Sequence, residues 1–152
     1  MWWLIIKYKQ GKMMTTVGII IIFLLAGALS YGFYWGYKKN LSIMKETAKL
    51  LEEYFTPTRK YYTWIGGVVG FEAQYFLLDG RKIHVKLILV PRHAILYYPI
   101  SLLLKRRDKL FFRGKLDLSD IDEKHIIKRL ANGEVVVEMN PNPKDIKKIK
   151  LL

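Results

Sequence analysis

The sequence has no cysteine, only three histidines, and half as many acidic as basic residues, 13 against 26. The lack of thiols excludes disulfides, thiol nucleophiles and thiolate metal sites, and is compatible with a reducing compartment. His84, His93 and His125 fall on different predicted elements with no i,i+4 pair, so they do not make a zinc-ligand pattern. No Walker loop, nucleophile elbow or kinase-like set is present, and Gly66, Gly67 and Gly70 lack the spacing of a phosphate-cradling loop. The one acidic cluster, Asp117, Asp120, Asp122 and Glu123, lacks the glycine and bidentate glutamate of a calcium loop and fits the start of a helix. These absences together predict a protein that is not an enzyme, with no cofactor, no metal and no small-molecule substrate.

Charge is also missing from one continuous stretch. Thr15 to Tyr37 runs for 23 residues without a charged side chain, between Lys12 and the pair Lys38-Lys39. As a helix it reaches about 35 Å, against about 30 Å for a bilayer core, so it predicts one transmembrane crossing. Tyr31, Phe33, Tyr34, Trp35 and Tyr37 crowd one end and Trp2 and Trp3 lie beyond the other, a distribution suited to two headgroup layers. A buried core helix and a cleaved signal peptide are the competing readings; uniform apolarity argues against the first, length and a bulky aromatic end against the second. Gly27, Gly32 and Gly36 offer small-residue surface for packing a partner helix, with GxxxG spacing between the last two.

Three lysines precede the span, so 23 basic residues against 13 acidic ones follow it. Such a balance seeks RNA, anionic lipid or an acidic protein. The slight excess of positive charge on the C-terminal flank places the N-terminus outside and the domain in the cytoplasm. The expected organisation is an arm over 1–14, the span over 15–37, one α+β domain over 38–143 with an antiparallel or mixed sheet, and a basic tail over 144–152.

Within the domain, Asn40 or Ser42 can cap a new helix running to about Tyr54, with Leu41, Met44, Ala48, Leu51 and Phe55 on one face and Pro57 as its stop. Residues 61 to 90 read as a hairpin: a glycine-bent first arm, a two-residue Asp79-Gly80 turn, and a second strand in which Ile83, Val85, Leu87 and Leu89 alternate with His84 and Lys86. Asp108 to Leu118 reads as a strand. Ser119 and Asp122 form a capping box for a helix to about Leu130, closed by Asn132-Gly133, and Glu134 to Met139 forms the last strand.

Two sets of candidate functional residues stand out. Between Arg92 and Arg107 lie Ile95, Leu96, Tyr97, Tyr98, Ile100, Leu102, Leu103 and Leu104, with basic residues at both ends. This segment is either a core helix broken at Pro99, or an exposed apolar element that inserts in a membrane interface or docks a partner's helices. Basic side chains recur at predicted turns: Arg59-Lys60, Arg81-Lys82, Arg92, Lys105-Arg106-Arg107 and Lys147-Lys148. They are either scattered solvated charge or, if they share a face, a contact for phosphates of RNA or lipid; Tyr61, Tyr62 and Trp64 could add base stacking.

The order of elements resembles calumin, the single-pass coiled-coil-domain subunit of the PAT intramembrane-chaperone complex in the multipass translocon. Leu50-Leu51-Glu52-Glu53-Tyr54-Phe55-Thr56 fits the LLExxFT pattern of that family, and the likeness extends over roughly Ile19 to Leu118. The resemblance implies a cytosolic domain beside the protein-conducting channel and ribosomal RNA, with a small membrane-protein partner, helping multipass membrane proteins insert and fold. It implies the endoplasmic reticulum in a eukaryote or the cell membrane in a prokaryote. Two departures stand out: there is no long acidic N-terminal region, and only Lys144 to Leu152 stands where the family has a long lysine-rich helix. The second leaves a direct ribosome contact without its family element and also suggests a minimal, prokaryotic version.

Overall fold

The computed structural model describes the backbone of residues 2–117 and 119–151, and the side chains of residues 15–151 except 118, 124, 126 and 127. The expected lodging of Trp2 and Trp3 at an interface therefore lies outside the described side chains. Helix α1, Trp2–Phe55, is a single element of 54 residues, about 80 Å long. The break expected at Lys38 to Ser42 does not occur. Asn40 is not a cap but a fully buried mid-helix side chain, while Ser42 donates to Glu46 Oε1 at 2.7 Å as an exposed i,i+4 pair. Pro57 ends the helix as expected, with Thr56 N closing the last turn on Glu52 O at 2.9 Å.

α1 carries one apolar run long enough to cross a membrane, and none of its most apolar window is covered by the rest of the chain. That run is therefore no core helix of this domain. From Asn40 onward the same helix becomes the core's spine. Gly32, Gly36, Asn40, Met44, Thr47, Leu51 and Phe55 recur at steps of four and three, and Gly36 through Phe55 in this series are all buried, so one helical stripe passes from the apolar run into the domain.

The domain is an antiparallel six-stranded sheet laid on this stripe, an α+β arrangement. Its strands are β1 Arg59–Ile65, β2 Gly70–Phe76, β3 Lys82–Ile88, β4 Lys109–Gly114, β6 Ile126–Arg129 and β7 Val135–Met139, in the order β1-β2-β3-β4-β7-β6. Alternation works as expected in β3, where Ile83, Val85 and Leu87 are buried, and in β4, where Leu110 and Phe112 are. They pack with Phe71, Ala73, Tyr75, Val135, Val137 and Met139 against Met44, Leu51 and Phe55.

Three expectations are corrected. The glycine-bent arm is two strands, because Gly66 (φ +54°) and Gly67 (φ +68°) form a turn rather than a bulge. The Asp79-Gly80 loop is not a two-residue turn: Leu77 pairs with Arg81 across Leu78, Asp79 and Gly80, with Gly80 N on Leu77 O at 3.1 Å. The helix from Ser119 to Leu130 is instead a short 3-10 turn, Glu123–His125, followed by β6. Asn132-Gly133 then repeats the first loop between β6 and β7: Leu130 pairs with Glu134, and the Asn132 carboxamide accepts from Glu134 N at 3.1 Å as Asp79 does from Arg81 N at 3.0 Å.

The residues expected as a tail belong to the fold. Asn142 caps α3, Pro143–Ile146, and β8, Lys150–Leu151, pairs with β5, Leu116–Asp117. Ile146 and Ile149 are buried, and the Tyr54 hydroxyl donates to Ile149 O at 2.9 Å.

A polar string crosses the helix–sheet seam at the end of the sheet far from Asn40. Lys60 Nζ and the Tyr62 hydroxyl both donate to Glu52, each at 2.6 Å, and the Tyr75 hydroxyl lies 2.7 Å from that of Tyr62. The Lys60 contact, then that of Tyr62, holds the Glu52 carboxyl below its ordinary range. Burial pushes both phenols up, Tyr75 to about 12. Above about pH 10 the unfolded phenols ionise while the folded ones keep their protons, so the unfolded state binds fewer protons and stability falls. Urea unfolding in detergent should show a lower midpoint at pH 10.5 than at pH 8, and Tyr62→Phe with Tyr75→Phe should shrink that difference; an undiminished difference contradicts the assignment.

Candidate membrane-docking surface

The strip of α1 that the sequence offers to a partner helix is taken by the chain itself. A Cβ on Gly36 would overlap the Arg92 carbonyl, and one on Gly32 would lie 3.1 Å from Ile95 Cδ1. Around Gly27 there is nothing within 4 Å. Two of the three glycines assigned to partner packing thus receive the segment that follows β3, and only Gly27 stays open.

That segment is tied down one helical turn beyond Gly36. Asn40 Nδ2 donates to Val68 O at 3.0 Å and to Val90 O at 2.9 Å, which fixes α1 to the β1–β2 turn and to the exit of β3. Arg92 Nη1 donates to Asn40 Oδ1 at 2.9 Å, and the guanidinium makes a bidentate pair with Asp108 at 3.1 and 2.7 Å. Asp108 Oδ1 also accepts from Val90 N at 2.9 Å. Both charged side chains are mostly buried, so Arg92 is an internal tie and not a phosphate contact.

From this knot the chain runs back along the apolar part of α1. His93 meets the Phe33 ring edge-on at 5.9 Å, and His93, Ile95 and Leu96 line a shallow groove with Leu29, Ser30 and Phe33. Turns from Pro91 to Tyr97 lead into α2, Tyr98–Leu103. Pro99 does not break this helix; it sits in the first turn, where its missing N–H costs nothing. The end is a paired C-terminal cap, with Arg106 N on Ser101 O and Lys105 N on Leu102 O, both 2.9 Å, and Lys105 at φ +53°.

Of the two readings of this segment, the core helix is wrong. Leu96 is 82% and Leu103 84% exposed, Ile100, Leu102 and Leu104 are at least half exposed, and Tyr97 is exposed; Ile95 and Tyr98 are partly covered, and only Ser101 is buried. Side chains of this size stay out of the core because the sheet's inner face is already filled by α1.

The basic residues divide between the two ends of the sheet. Lys105, Arg106 and Arg107 follow α2 directly and are all exposed; Arg106 lies 5.6 Å from the centroid of the Tyr97 ring. Arg59, Lys60, Arg81 and Lys82 lie at the opposite end of the sheet, with Lys147-Lys148 beside Tyr54 at the end of α1. Lys60 pairs with Glu52, Arg81 with Asp79, and Lys148 with Asp145 at 3.8 Å. No single face gathers all the basic pairs. Tyr62 is engaged in the core string, whereas Tyr61 and Trp64 are exposed on the edge strand β1.

The acidic cluster opens only the 3-10 turn that starts at Glu123, not an α-helix: Asp117 accepts from Ser119 N at 3.0 Å, and Asp120 pairs with Lys150 at 2.5 Å. Among the described residues no three His, Asp or Glu side chains gather as a metal site. Sequence reasoning missed Asn40 and Asp108 as working parts. The only signal for Asn40 was its place four residues after Gly36 on the Gly32–Gly36 stripe.

No protein-family model, curated protein or solved structure matches this chain.

Proposed function

We propose that this protein is a non-enzymatic, single-pass membrane factor whose domain is presented on the cytoplasmic side to macromolecular partners. One observation carries the reading: α1 continues without a break from its apolar run into the core of the sheet domain. The helix therefore couples the domain to the bilayer as a strut, not a tether, with the Asn40 end of the sheet next to the membrane and the Arg59, Lys82 and Lys147 end facing water. Exposed basic side chains at that far end favour an anionic partner approaching from the aqueous phase. The resemblance to the calumin family supports a ribosome at the protein-conducting channel as that partner, with assistance to multipass membrane-protein insertion as the activity.

The test is sedimentation of the detergent-solubilised full chain with ribosomes and channel. Binding at low salt that is lost at high salt supports the reading, and Arg59→Glu with Lys82→Glu and Lys147→Glu should weaken it several-fold. No co-sedimentation at low salt rejects the ribosomal partner. Binding to anionic vesicles by these far-end charges would instead favour a lipid-reading domain.

A further inference from the structure

We infer that residues 93–104 form a second membrane-inserted element, a wedge that enters the same leaflet as the end of the span while Lys105, Arg106 and Arg107 meet anionic headgroups. The inference rests on α1 crossing the bilayer, as proposed above, and adds where the domain itself enters lipid. Three independent features point to a lipid leaflet as the occupant.

The first is depth. Ile95 packs at Gly32, which precedes Tyr37 by five helical residues, so this contact lies about 7–8 Å inside the last uncharged residue of the span. A segment fixed there cannot stay in water if Thr15 to Tyr37 is in the bilayer. The second is the exposure of Leu96, Ile100, Leu102, Leu103 and Leu104, which continues the bare apolar surface of α1. The third is the sequence of polarity. The apolar stretch stops at a capped turn, and the next three residues are Lys105, Arg106 and Arg107, all exposed, as Lys38 and Lys39 are on α1. Two basic steps at two membrane exits match an anionic headgroup layer. The backbone also suits such a place, because the turns after Pro91, α2 and its cap together satisfy most of the segment's N–H groups internally.

The cysteine-free chain allows single reporter sites. Leu103→Cys, Phe23→Cys in mid-span and Leu78→Cys on the far hairpin loop, each labelled with an environment-sensitive fluorophore, would be reconstituted as full chains. The vesicles would hold phosphatidylcholine with phosphatidylglycerol, with or without lipid-borne quenchers. All three side chains are well exposed, so the substitutions leave packing intact. The expected result is blue-shifted, quenched emission at positions 103 and 23 and aqueous, unquenched emission at 78. A label at 103 that behaves like the one at 78, while 23 is quenched, overturns the wedge but leaves the span standing; this is the behaviour of a surface kept for a protein partner. An unquenched label at 23 overturns both. In vesicles of phosphatidylcholine alone, quenching at 103 should fall at least twofold, and Lys105→Glu with Arg106→Glu and Arg107→Glu should produce the same fall in mixed vesicles. Quenching indifferent to both changes removes the headgroup part of the inference.

Discussion

Arg92→Met should destabilise the domain by about 3 kcal/mol, at the low end of the range for breaking a buried pair because some water still reaches it. Arg92 satisfies Asp108 with two charge-assisted bonds and gives Asn40 Oδ1 its donor. Removing it leaves a mostly buried carboxylate whose remaining partner is Val90 N, and an unfilled carboxamide oxygen in a fully buried asparagine. Arg92→Lys should recover little, since an ammonium cannot span both carboxylate oxygens and Asn40 as a planar fork does. Adding Asp108→Leu to Arg92→Met should regain part of the loss by removing the stranded charge. It cannot regain all of it, because Val90 N would lose its acceptor and Asn40 Oδ1 would still lack a donor. Urea denaturation in micelles followed by near-ultraviolet dichroism measures each step. A loss under about 1 kcal/mol for Arg92→Met would mean that the knot is a surface pair in energetic terms.

The knot also explains how far the fold could be read from residues alone. Elements whose causes are local were legible: the uncharged run of α1, the alternation of β3 and β4, the stop at Pro57. Asn40 was not, because an asparagine after Lys38-Lys39 looks like a cap, and only partners 28 and 50 residues away make it a buried clamp. Asn132-Gly133 shows a different limit. The same dipeptide type ends a helix or turns a hairpin, and the choice depends on whether the preceding residues have a strand to pair with. Here Ile126, Lys128 and Arg129 find β7, and that pairing overrides the capping signal of Ser119 and Asp122. The C-terminal residues were read as a basic tail, although Asn142-Pro143 is a cap followed by a first-turn proline. The candidate site divides likewise. The apolar segment and its basic end were visible as composition, but its exposure depended on α1 already filling the sheet's inner face.

Gly36→Leu should detach the segment from α1. The overlap involves the Cβ itself and the backbone of Arg92 and His93, so no rotamer relieves it and either the helix or the segment must move. Neither moves freely, because Asn40 fixes α1 to Val68 and Val90 one turn away. Overpacking of this kind costs about 1–3 kcal/mol, equivalent to an opening equilibrium of the segment larger by about five- to 150-fold. Hydrogen exchange at Tyr97, Tyr98 and Ser101 should accelerate within that range, whereas the amides of β3 and β4 should change much less. Gly32→Ala provides a graded comparison. Its nearest neighbour is the flexible end of Ile95, so exchange should rise less than about threefold. Gly27→Leu meets nothing and should leave exchange unchanged. If Gly36→Leu exchanged like Gly27→Leu, the seam between α1 and the segment would not exist in solution, and the glycine stripe would again be free for a partner's helix. If exchange rose as expected while the label at Leu103→Cys stayed quenched, lipid alone would be holding the segment at depth. Aqueous emission from that label would instead mean that the packing on Gly32 and Gly36 puts the leucines into the leaflet.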